Sequence, residues 1–217
     1  IAGVEYLCVL LYRDWSANNA SDRQAQYDFI KESLDRCVGS GARVLVPGSG
    51  VGRLATEVSS LGYEVECVEA SAHYVAAMHL MHSESDDTFE ISFACDIDDV
   101  FAKNKRCERI VVPDRHFEIS KPIKIDVADF GHEYARSNRD KFDCVATSFF
   151  FDVPQSAFDV ISNIAAVLRP GGVWINLGPL LWHHDETGPN PAAQLSMEEI
   201  AYASNALGLK VGPMEEV

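Results

Sequence analysis

The chain has 217 residues, which is enough for one domain with a complete hydrophobic core. Apolar residues make up 47% and charged residues 24%, a composition typical of a globular protein. The net charge is −15, and the few Lys and Arg residues are scattered. A surface that grips nucleic acid needs clustered basic residues, so we expect no nucleic-acid partner. No apolar run approaches the roughly 20 residues of a membrane span, so we expect no membrane partner.

The six cysteines form no CxxC pair, and the N-terminal apolar stretch lacks the basic leading region of a signal peptide. Both features favour a reduced protein of the cytoplasm, with the nucleus as a further compartment.

The spacing of apolar residues predicts alternating helices and strands along the chain. Helices are expected over 21–38, 51–61, 71–83, 155–168 and 196–207, and strands over 43–47, 63–70, 123–130, 142–150, 173–181 and 209–211. This alternation is typical of the α/β class, with a doubly wound and mostly parallel sheet in a single domain over residues 1–217. Residues 1–40 form a helical N-terminal part, and residues 84–122 form an insertion that is either a lid or a loose loop.

The first predicted strand runs into a glycine loop, VLVPGSGVGRL, with glycines at 48, 50 and 52. Such a loop lets backbone N–H groups and a helix N-terminus face a ligand. The dinucleotide pattern GxGxxG would need a third glycine where the chain has Arg53, so the loop is closer to that of methyltransferases that use S-adenosyl-L-methionine. Glu69 ends the second strand, where a carboxylate can accept both ribose hydroxyls of an adenosine ligand, NAD included.

Asp129 and Phe130 lie at the end of the third predicted strand of the sheet. In an adenosine site, Asp129 would accept from the adenine amino group and Phe130 would pack on the ring. The alternative is that Asp129 caps a helix and Phe130 is a core aromatic residue.

Several stretches together resemble the carnosine N-methyltransferase family. They are RDWS at 13–16, LVPGSGVGRLATEVSSLGYEVECVE at 45–69, ADF at 128–130, FDCVATSFFFDV at 142–153 and LRPGGVWINLGPLLWH at 168–183. The similarity runs from about residue 10 to about residue 211. It implies a Rossmann-like class I methyltransferase that uses S-adenosyl-L-methionine to methylate the imidazole of carnosine, which gives anserine. The family also continues with a C-terminal hairpin, so the resemblance implies that this chain is truncated.

The resemblance implies a set of cofactor contacts, with Arg13 reaching the carboxylate of the cofactor and Asp129 and Phe130 contacting adenine. The implied cofactor-binding residues are Arg13, Gly48, Gly50, Glu69, Asp129, Phe130 and Ser148. Three residues before Arg13 the family tends to have a glutamine, where this chain has Leu10, so that contact is expected to be lost or replaced.

The resemblance also implies the substrate site, formed by Phe149, Asp152 and His183, with Asp152 and His183 as the catalytic residues. An imidazole is mostly neutral at pH 7, so methyl transfer needs control of the tautomer rather than a strong base. Asp152 would accept N–H from one ring nitrogen and leave the other as the nucleophile. The alternative for Asp152 is a helix N-cap before Pro154.

No metal site is expected, because the adjacent side chains of His183, His184 and Asp185 diverge and no further ligand is suitably spaced. His79 and His82 share a helical face and are expected at the surface.

The predicted function is therefore an S-adenosyl-L-methionine-dependent N-methyltransferase that acts on a small histidine-containing dipeptide. Three alternatives stay open: a methyltransferase of another acceptor, such as a protein histidine or another small molecule; a non-catalytic protein that binds S-adenosyl-L-methionine; and a nicotinamide dehydrogenase. A homodimer is also left open.

Overall fold

The computed structural model describes residues 2–82, 87–95, 106–114, 117–119, 121–182 and 194–212. Seven α-helices, one short 3-10 helix at Ala17–Asn19 and seven strands lie within them. The α-helices and strands are α1 Ala2–Trp15, α2 Ala20–Cys37, β1 Arg43–Pro47, α3 Arg53–Ser60, β2 Glu64–Glu69, α4 Ala72–Met81, β3 Phe89–Cys95, β4 Arg106–Val112, β5 Lys124–Val127, α5 His132–Ser137, β6 Phe142–Ser148, α6 Ala157–Val167, β7 Leu168–Leu177 and α7 Met197–Ala206.

Five strands form one sheet in the order β5-β2-β1-β6-β7, and each neighbouring pair is parallel. The chain starts near the middle of this sheet, moves outward through β2 and β5, and then crosses back to β6 and β7. This topology confirms the predicted α/β, doubly wound parallel sheet. Ligands of such sheets bind at the carboxyl ends of the strands, near the point where the strand order reverses, which here lies between β1 and β6.

Both faces of the sheet are covered, as parallel sheets require. Along β1, Val44 and Val46 pack into one core with α2 and α3, whereas Leu45 packs into the other core with α5, α6 and α7. The two-residue alternation of a strand explains why a continuous apolar run feeds both cores.

The N-terminal helix α1 and the segment after α4 pack together. The predicted insertion contains an antiparallel hairpin, β3–β4, that periodicity did not indicate. Ile110 and Val112 of this hairpin join Leu11 and Trp15 of α1 in a third core cluster. Therefore part of the insertion is an ordered structure that packs against α1.

Residues 209–212 form no strand, so the expected strand at 209–211 was wrong. A strand requires a hydrogen-bonded neighbour, and this segment pairs with no other described strand. The capping box that begins the preceding helix is confirmed: Ser196 accepts from the backbone N–H of Glu199, and Glu199 accepts from that of Ser196. No helix in the described part of the chain has the length and apolarity needed to cross a membrane.

Candidate cofactor and active site

The glycine loop, Gly48–Gly52, turns the chain from β1 into α3. Gly48, Gly50 and Gly52 have φ values of 59°, 55° and 83°. Side chains with a Cβ disfavour this left-handed region, so the loop conformation explains the glycine at each of these alternate positions. The backbone N–H of Gly48 donates to the carbonyl of Val68, which fixes the loop at the carboxyl edge of β2.

Glu69 is the residue that joins β2 to the glycine loop. Its Oε2 accepts from the backbone N–H of Gly50 at 2.9 Å, and its Oε1 accepts from that of Ser71 at 2.8 Å. The side chain is nearly buried, so its orientation is fixed by these two bonds. Each carboxylate oxygen can accept a second hydrogen bond. Glu69 can therefore accept the hydroxyls of a ribose without giving up its contact with the loop.

Asp129 and Phe130 follow β5, whose residue Val127 pairs with Glu69. They therefore lie beside Glu69 on the same edge of the sheet. Phe130 is buried in a core cluster, as the alternative interpretation expected, with its ring 5.9 Å from that of Tyr134. Asp129 is exposed, and the N-cap of α5 is Gly131, so this helix has no side-chain cap. The helix-cap interpretation of Asp129 was therefore wrong, and its side chain is exposed to solvent.

Phe150 lies against the glycine loop, which sequence analysis did not anticipate. A Cβ added to Gly48 would overlap the ring of Phe150. That ring also meets Phe130 edge to face, with centroids 6.1 Å apart. Phe150 thus connects the glycine loop with the aromatic residue after β5. The FFF run at 149–151 was the available signal, but sequence alone did not indicate which ring faces the loop.

Ser148 and Phe149 lie where β6 ends. Ser148 pairs with Leu177 of β7, and the N–H of Phe149 donates to the Leu177 carbonyl at 2.9 Å. Phe149 has a φ of 52°, an uncommon conformation for a residue with a bulky side chain. A Cβ on Gly178 would approach the Phe149 backbone to 3.1 Å, so glycine there allows the two strand ends to meet. Such local strain is typical of functional sites.

Arg13 extends from α1 over this strand end. Its guanidinium carbon lies 4.8 Å from the centroid of the Phe149 ring, within the range of a cation–π contact. Leu10, one turn earlier on α1, is buried beside Gly50. An apolar contact with the glycine loop therefore occupies the position where the resembling family tends to have glutamine.

Asp152 is buried, and its Oδ2 accepts from the backbone N–H of Leu181 at 2.8 Å. The alternative interpretation of Asp152 as the cap of the following helix was wrong, because Ser156 is the N-cap of α6 and accepts from the N–H of Asp159. Asp152 instead holds the segment that follows β7. His183 lies outside the described residues, two positions after Leu181.

A buried cluster of charged and aromatic residues lies behind the glycine loop, on the side of Gly52. We call it the back cluster, and it consists of Trp15, Arg23, Arg53, Asp114 and Phe117. The Asp114 carboxylate accepts from Arg53 at 2.5 Å and from Arg23 at 2.6 Å. The Arg53 guanidinium lies 4.9 Å from the Trp15 ring centroid and 4.8 Å from that of Phe117.

The back cluster fixes α1 to the glycine loop. The indole N–H of Trp15 donates to the Val51 carbonyl at 2.9 Å, and the N–H of Asp114 donates to the Trp15 carbonyl at 2.7 Å. The pKa of Arg53 is raised, since hydrogen bonds and charge from Asp114 outweigh the effect of burial. Arg53, which distinguished this loop from a dinucleotide loop, is therefore an internal ion-pair partner.

His82 also lies behind the loop, so the expectation of a surface residue was wrong. Its Nε2 is 2.6 Å from the hydroxyl oxygen of Thr56, and its ring meets Trp15 edge to face. Burial lowers its pKa from the ordinary 6.5 to about 4. His82 is therefore neutral at pH 7. His79 is exposed, as expected. The described residues contain no group of three or more potential metal ligands.

The carboxyl edge of the sheet thus brings together most of the predicted cofactor residues, with Arg13 on one side of the glycine loop and Glu69 and Asp129 on the other. Three participants were missed by sequence analysis: Phe150, Asp114 and Asp14, which binds Arg13. Asp14 lies within the RDWS motif, so a signal for it was present. Asp114 had no signal, because its partners are far away along the chain.

Comparison with known proteins identifies relatives of this chain. The family model for carnosine N-methyltransferase matches residues 3–216. The carnosine N-methyltransferase of Mus musculus is 33% identical over 201 residues, which cover 87% of this chain and 50% of that protein. The protein of the same name from Schizosaccharomyces pombe is 29% identical over 92% of this chain and 60% of its own length. The chain thus spans about half the length of the curated relatives it matches.

Solved structures support the fold assignment. A chain in the complex between the Haloferax volcanii Trm112 methyltransferase activator and a methyltransferase has a TM-score of 0.58 and 18% identity, over 90% of this chain and 73% of its own. A structure described as a sarcosine dimethylglycine methyltransferase of Galdieria sulphuraria has a TM-score of 0.55 and 13% identity, over 89% of this chain and 63% of its own. The fold is the Rossmann-like class I methyltransferase fold, and by sequence the chain belongs to the carnosine N-methyltransferase family.

Proposed function

We propose that this chain, as one domain, is an S-adenosyl-L-methionine-dependent N-methyltransferase that methylates the imidazole of a histidine-containing dipeptide such as carnosine, which gives anserine. S-adenosyl-L-methionine is the methyl donor that the family and the fold imply. The observation that carries the proposal is the Glu69 carboxylate, fixed by Gly50 and Ser71 at the carboxyl edge of β2. This is the position from which a carboxylate binds the ribose of an adenosine ligand.

The residues along this edge match the polar groups of that donor. Glu69 offers acceptors for the ribose hydroxyls, and exposed Asp129 offers acceptors for the adenine amino group. Arg13 offers a guanidinium for the carboxylate of the methionyl part. The open conformation of Gly50, whose added Cβ would meet nothing closer than 4.0 Å, leaves room above the loop.

When bound, S-adenosyl-L-methionine would supply an electrophilic methyl group on its sulfonium, which would pass in line to a nucleophile while the neutral thioether S-adenosylhomocysteine leaves. The chain's task is to hold the acceptor nitrogen near that methyl group in the correct orientation. A neutral imidazole has one nitrogen with a free lone pair and one N–H. In the proposed site, Asp152 accepts that N–H and stabilises the positive charge that develops on the ring. After transfer, the ring loses this proton to solvent and becomes neutral again.

Asp152 therefore has two roles in the proposal, since its Oδ2 also accepts from Leu181. The same carboxylate would order the segment after β7 and contact the substrate ring. The aromatic rings of Phe149 and Phe150 border the strand end at which the acceptor would approach. His183 stays a proposed substrate contact.

The proposed compartment is the cytoplasm. Cys8, Cys37, Cys67 and Cys144 are free thiols, and burial raises the pKa of Cys67 and of Cys144 to about 12. Thiols of this kind are unreactive core residues, which suits a reducing environment.

Cofactor binding is tested by calorimetric titration of the chain with S-adenosylhomocysteine, with NAD as the control ligand. We expect S-adenosylhomocysteine to bind and NAD not to bind. Glu69→Gln should weaken that binding about tenfold or more, because it removes a charged acceptor of two hydrogen bonds. The matched control is Glu64→Gln, at the exposed start of the same strand. Binding of NAD alone would overturn the assignment of the cofactor.

The acceptor is tested by incubating the chain with S-adenosyl-L-methionine and carnosine and detecting anserine by mass spectrometry. We expect methylation that falls at least about a hundredfold in Asp152→Asn, the scale of losing a positioned catalytic group. Undiminished turnover in that variant would exclude the role of Asp152. Labelling of a protein histidine with carnosine inert would favour another acceptor. Cofactor binding without turnover of any acceptor would favour a non-catalytic binding protein.

A further inference from the structure

Arg13 and Asp14 form a two-pronged ion pair near the end of α1. Nε of Arg13 donates to Oδ1 of Asp14 at 2.6 Å, and Nη2 donates to Oδ2 at 2.9 Å. Adjacent side chains on a helix point in different directions, so neighbours do not normally face each other. The two hydrogen bonds between these neighbours therefore restrict the orientation of the Arg13 guanidinium.

The surroundings of this pair restrict it further. The Arg13 carbonyl accepts from the Arg23 guanidinium at 2.7 Å and from the Asn19 side chain at 3.0 Å. The Asp14 carbonyl accepts from Arg53 at 3.1 Å. Asp14 is nearly buried, whereas 35% of the Arg13 side chain is exposed. Therefore the backbone and the carboxylate are held rigidly, and the guanidinium is the part that reaches the strand ends.

A guanidinium has two edges that can each bind a carboxylate through two parallel N–H groups. Asp14 takes the edge formed by Nε and Nη2. The second edge, formed by Nη1 and the other hydrogen of Nη2, has no hydrogen-bond partner among the residues that the structure describes. The ring of Phe149 covers one face of the guanidinium. Burial alone would lower the pKa of Arg13, but the hydrogen bonds that Arg13 donates to Asp14 and the negative charge of Asp14 raise it, so the cation is maintained.

We propose that Asp14 is a positioning residue, which holds Arg13 so that its second edge binds the α-carboxylate of an amino-acid-bearing nucleoside at the carboxyl edge of the sheet. The inference rests on the proposed function, because S-adenosyl-L-methionine is such a nucleoside. It assigns to Asp14, the second residue of the RDWS motif, a role that it exerts through Arg13, the first.

The test compares two ligands that share the adenosine thioether but differ in the amino-acid part. S-adenosylhomocysteine carries the α-carboxylate, and 5′-methylthioadenosine lacks it. Calorimetric titration of Asp14→Asn should show binding of S-adenosylhomocysteine weakened about tenfold, the scale of one lost charge-assisted hydrogen bond. Binding of 5′-methylthioadenosine should change by less than about twofold. Arg13→Gln should show the same selective loss, because it removes the group that Asp14 positions.

Controls separate this inference from the function on which it rests. Asp22→Asn, which changes an exposed carboxylate at the start of α2, should leave both affinities unchanged. If the unmodified chain binds neither ligand, the proposed function fails. If it binds both and Asp14→Asn weakens both equally, Asp14 is merely structural and the inference is overturned. Tighter binding of S-adenosylhomocysteine in Asp14→Asn would also overturn it, because Asp14 would then compete with the ligand for Arg13.

A second variant protects the test against unfolding. Asp14→Glu keeps the carboxylate but lengthens the side chain by one methylene, which displaces the guanidinium without leaving Arg13 unpaired. We expect the same selective loss of S-adenosylhomocysteine binding, and thermal unfolding monitored by circular dichroism confirms that the variant is folded. Unchanged binding of both ligands by this variant would overturn the requirement for positioning.

Discussion

The two sides of the glycine loop are built differently. On the back, Arg53 is 3% exposed, and its N–H groups are used by Glu57, Asp114 and the Asp14 carbonyl. On the front, Arg13 is 35% exposed, and among the residues that the structure describes only one edge of its guanidinium is hydrogen-bonded. Both arginines lie against aromatic rings, so their surroundings are chemically similar. They differ in how many of their guanidinium N–H groups are hydrogen-bonded to the described residues.

This difference distinguishes an arginine that stabilises the fold from one that is available to bind a ligand. A buried group whose partners all lie within the protein contributes to the free energy of unfolding, and a ligand cannot use it. A group fixed on one edge and open on the other contributes less to stability, but it meets a ligand already oriented. We therefore expect substitutions behind the loop to lower stability and substitutions in front of it to lower affinity.

The largest expected loss of stability follows Asp114→Asn. It removes the carboxylate that buried Arg23 and Arg53 share and leaves Arg53 with Glu57 as its remaining carboxylate partner, which should lower the free energy of unfolding by about 3–5 kcal/mol. Urea denaturation followed by circular dichroism measures this. A loss below about 1 kcal/mol would show that the back cluster does not hold the loop.

The next largest loss of stability is expected within the glycine loop itself. Gly48→Ala should lower the free energy of unfolding by about 2–4 kcal/mol, because Gly48 has a positive φ and the Phe150 ring occupies the place of a Cβ. Combining it with Phe150→Ala should make the Gly48→Ala step about 1–3 kcal/mol less costly, since the overlap disappears. Gly50→Ala is the matched control, with a similar φ but open space around the added atom, and should cost about 1–2 kcal/mol. Equal costs for both glycines in denaturation experiments would contradict the contact with Phe150.

A smaller effect depends on pH and concerns His82 on the back. The folded protein keeps His82 neutral down to about pH 4, whereas the unfolded chain protonates it near pH 6.5. The unfolded state therefore binds more protons between these values, so the stability that neutral His82 provides is complete above pH 6.5 and is lost as pH falls towards 4. We expect this loss to be about 2 kcal/mol.

The measurement is urea denaturation at pH 7 and at pH 4.5 for the unmodified chain and for His82→Gln. The unmodified chain should lose about 2 kcal/mol more than the variant between these pH values. His79→Gln, on the exposed side of the same helix, is the control. If His82→Gln shows the same pH dependence as the unmodified chain, His82 does not stay neutral in the fold.

The smallest effect is expected on the β3–β4 hairpin, away from both sides of the loop. Glu90 and Arg109 form a cross-strand ion pair whose side chains are more than half exposed. Glu90→Gln should change the free energy of unfolding by about 0–0.5 kcal/mol, because water screens such pairs. If urea denaturation shows a loss of stability as large as that of Asp114→Asn, the hairpin as a whole, rather than the buried ion pairs of Asp114, holds α1 in place.

Local signals in the sequence predicted much of the fold. The apolar run at 43–47 and the Ser196–Glu199 capping box each appear in the structure as expected, since both depend on neighbours within a few residues. The expected strand at 209–211 failed because a strand also depends on a distant partner. The β3–β4 hairpin was missed because the sequence between its strands, residues 96–105, carries none of the two-residue turn motifs that indicate a hairpin.

The sequence by itself determined the alternation of strands and helices, the glycine loop, the carboxylate after β2 and the family. These properties depend on short-range periodicity, on backbone conformations that only glycine adopts readily, and on motifs of adjacent residues. Only the tertiary structure decided which partner each charged side chain has. Arg23 and Arg53 meet Asp114 across separations of 91 and 61 residues, whereas Arg13 meets the residue next to it. Such pairings depend on how elements pack, because a charged side chain is buried only where packing brings it a partner.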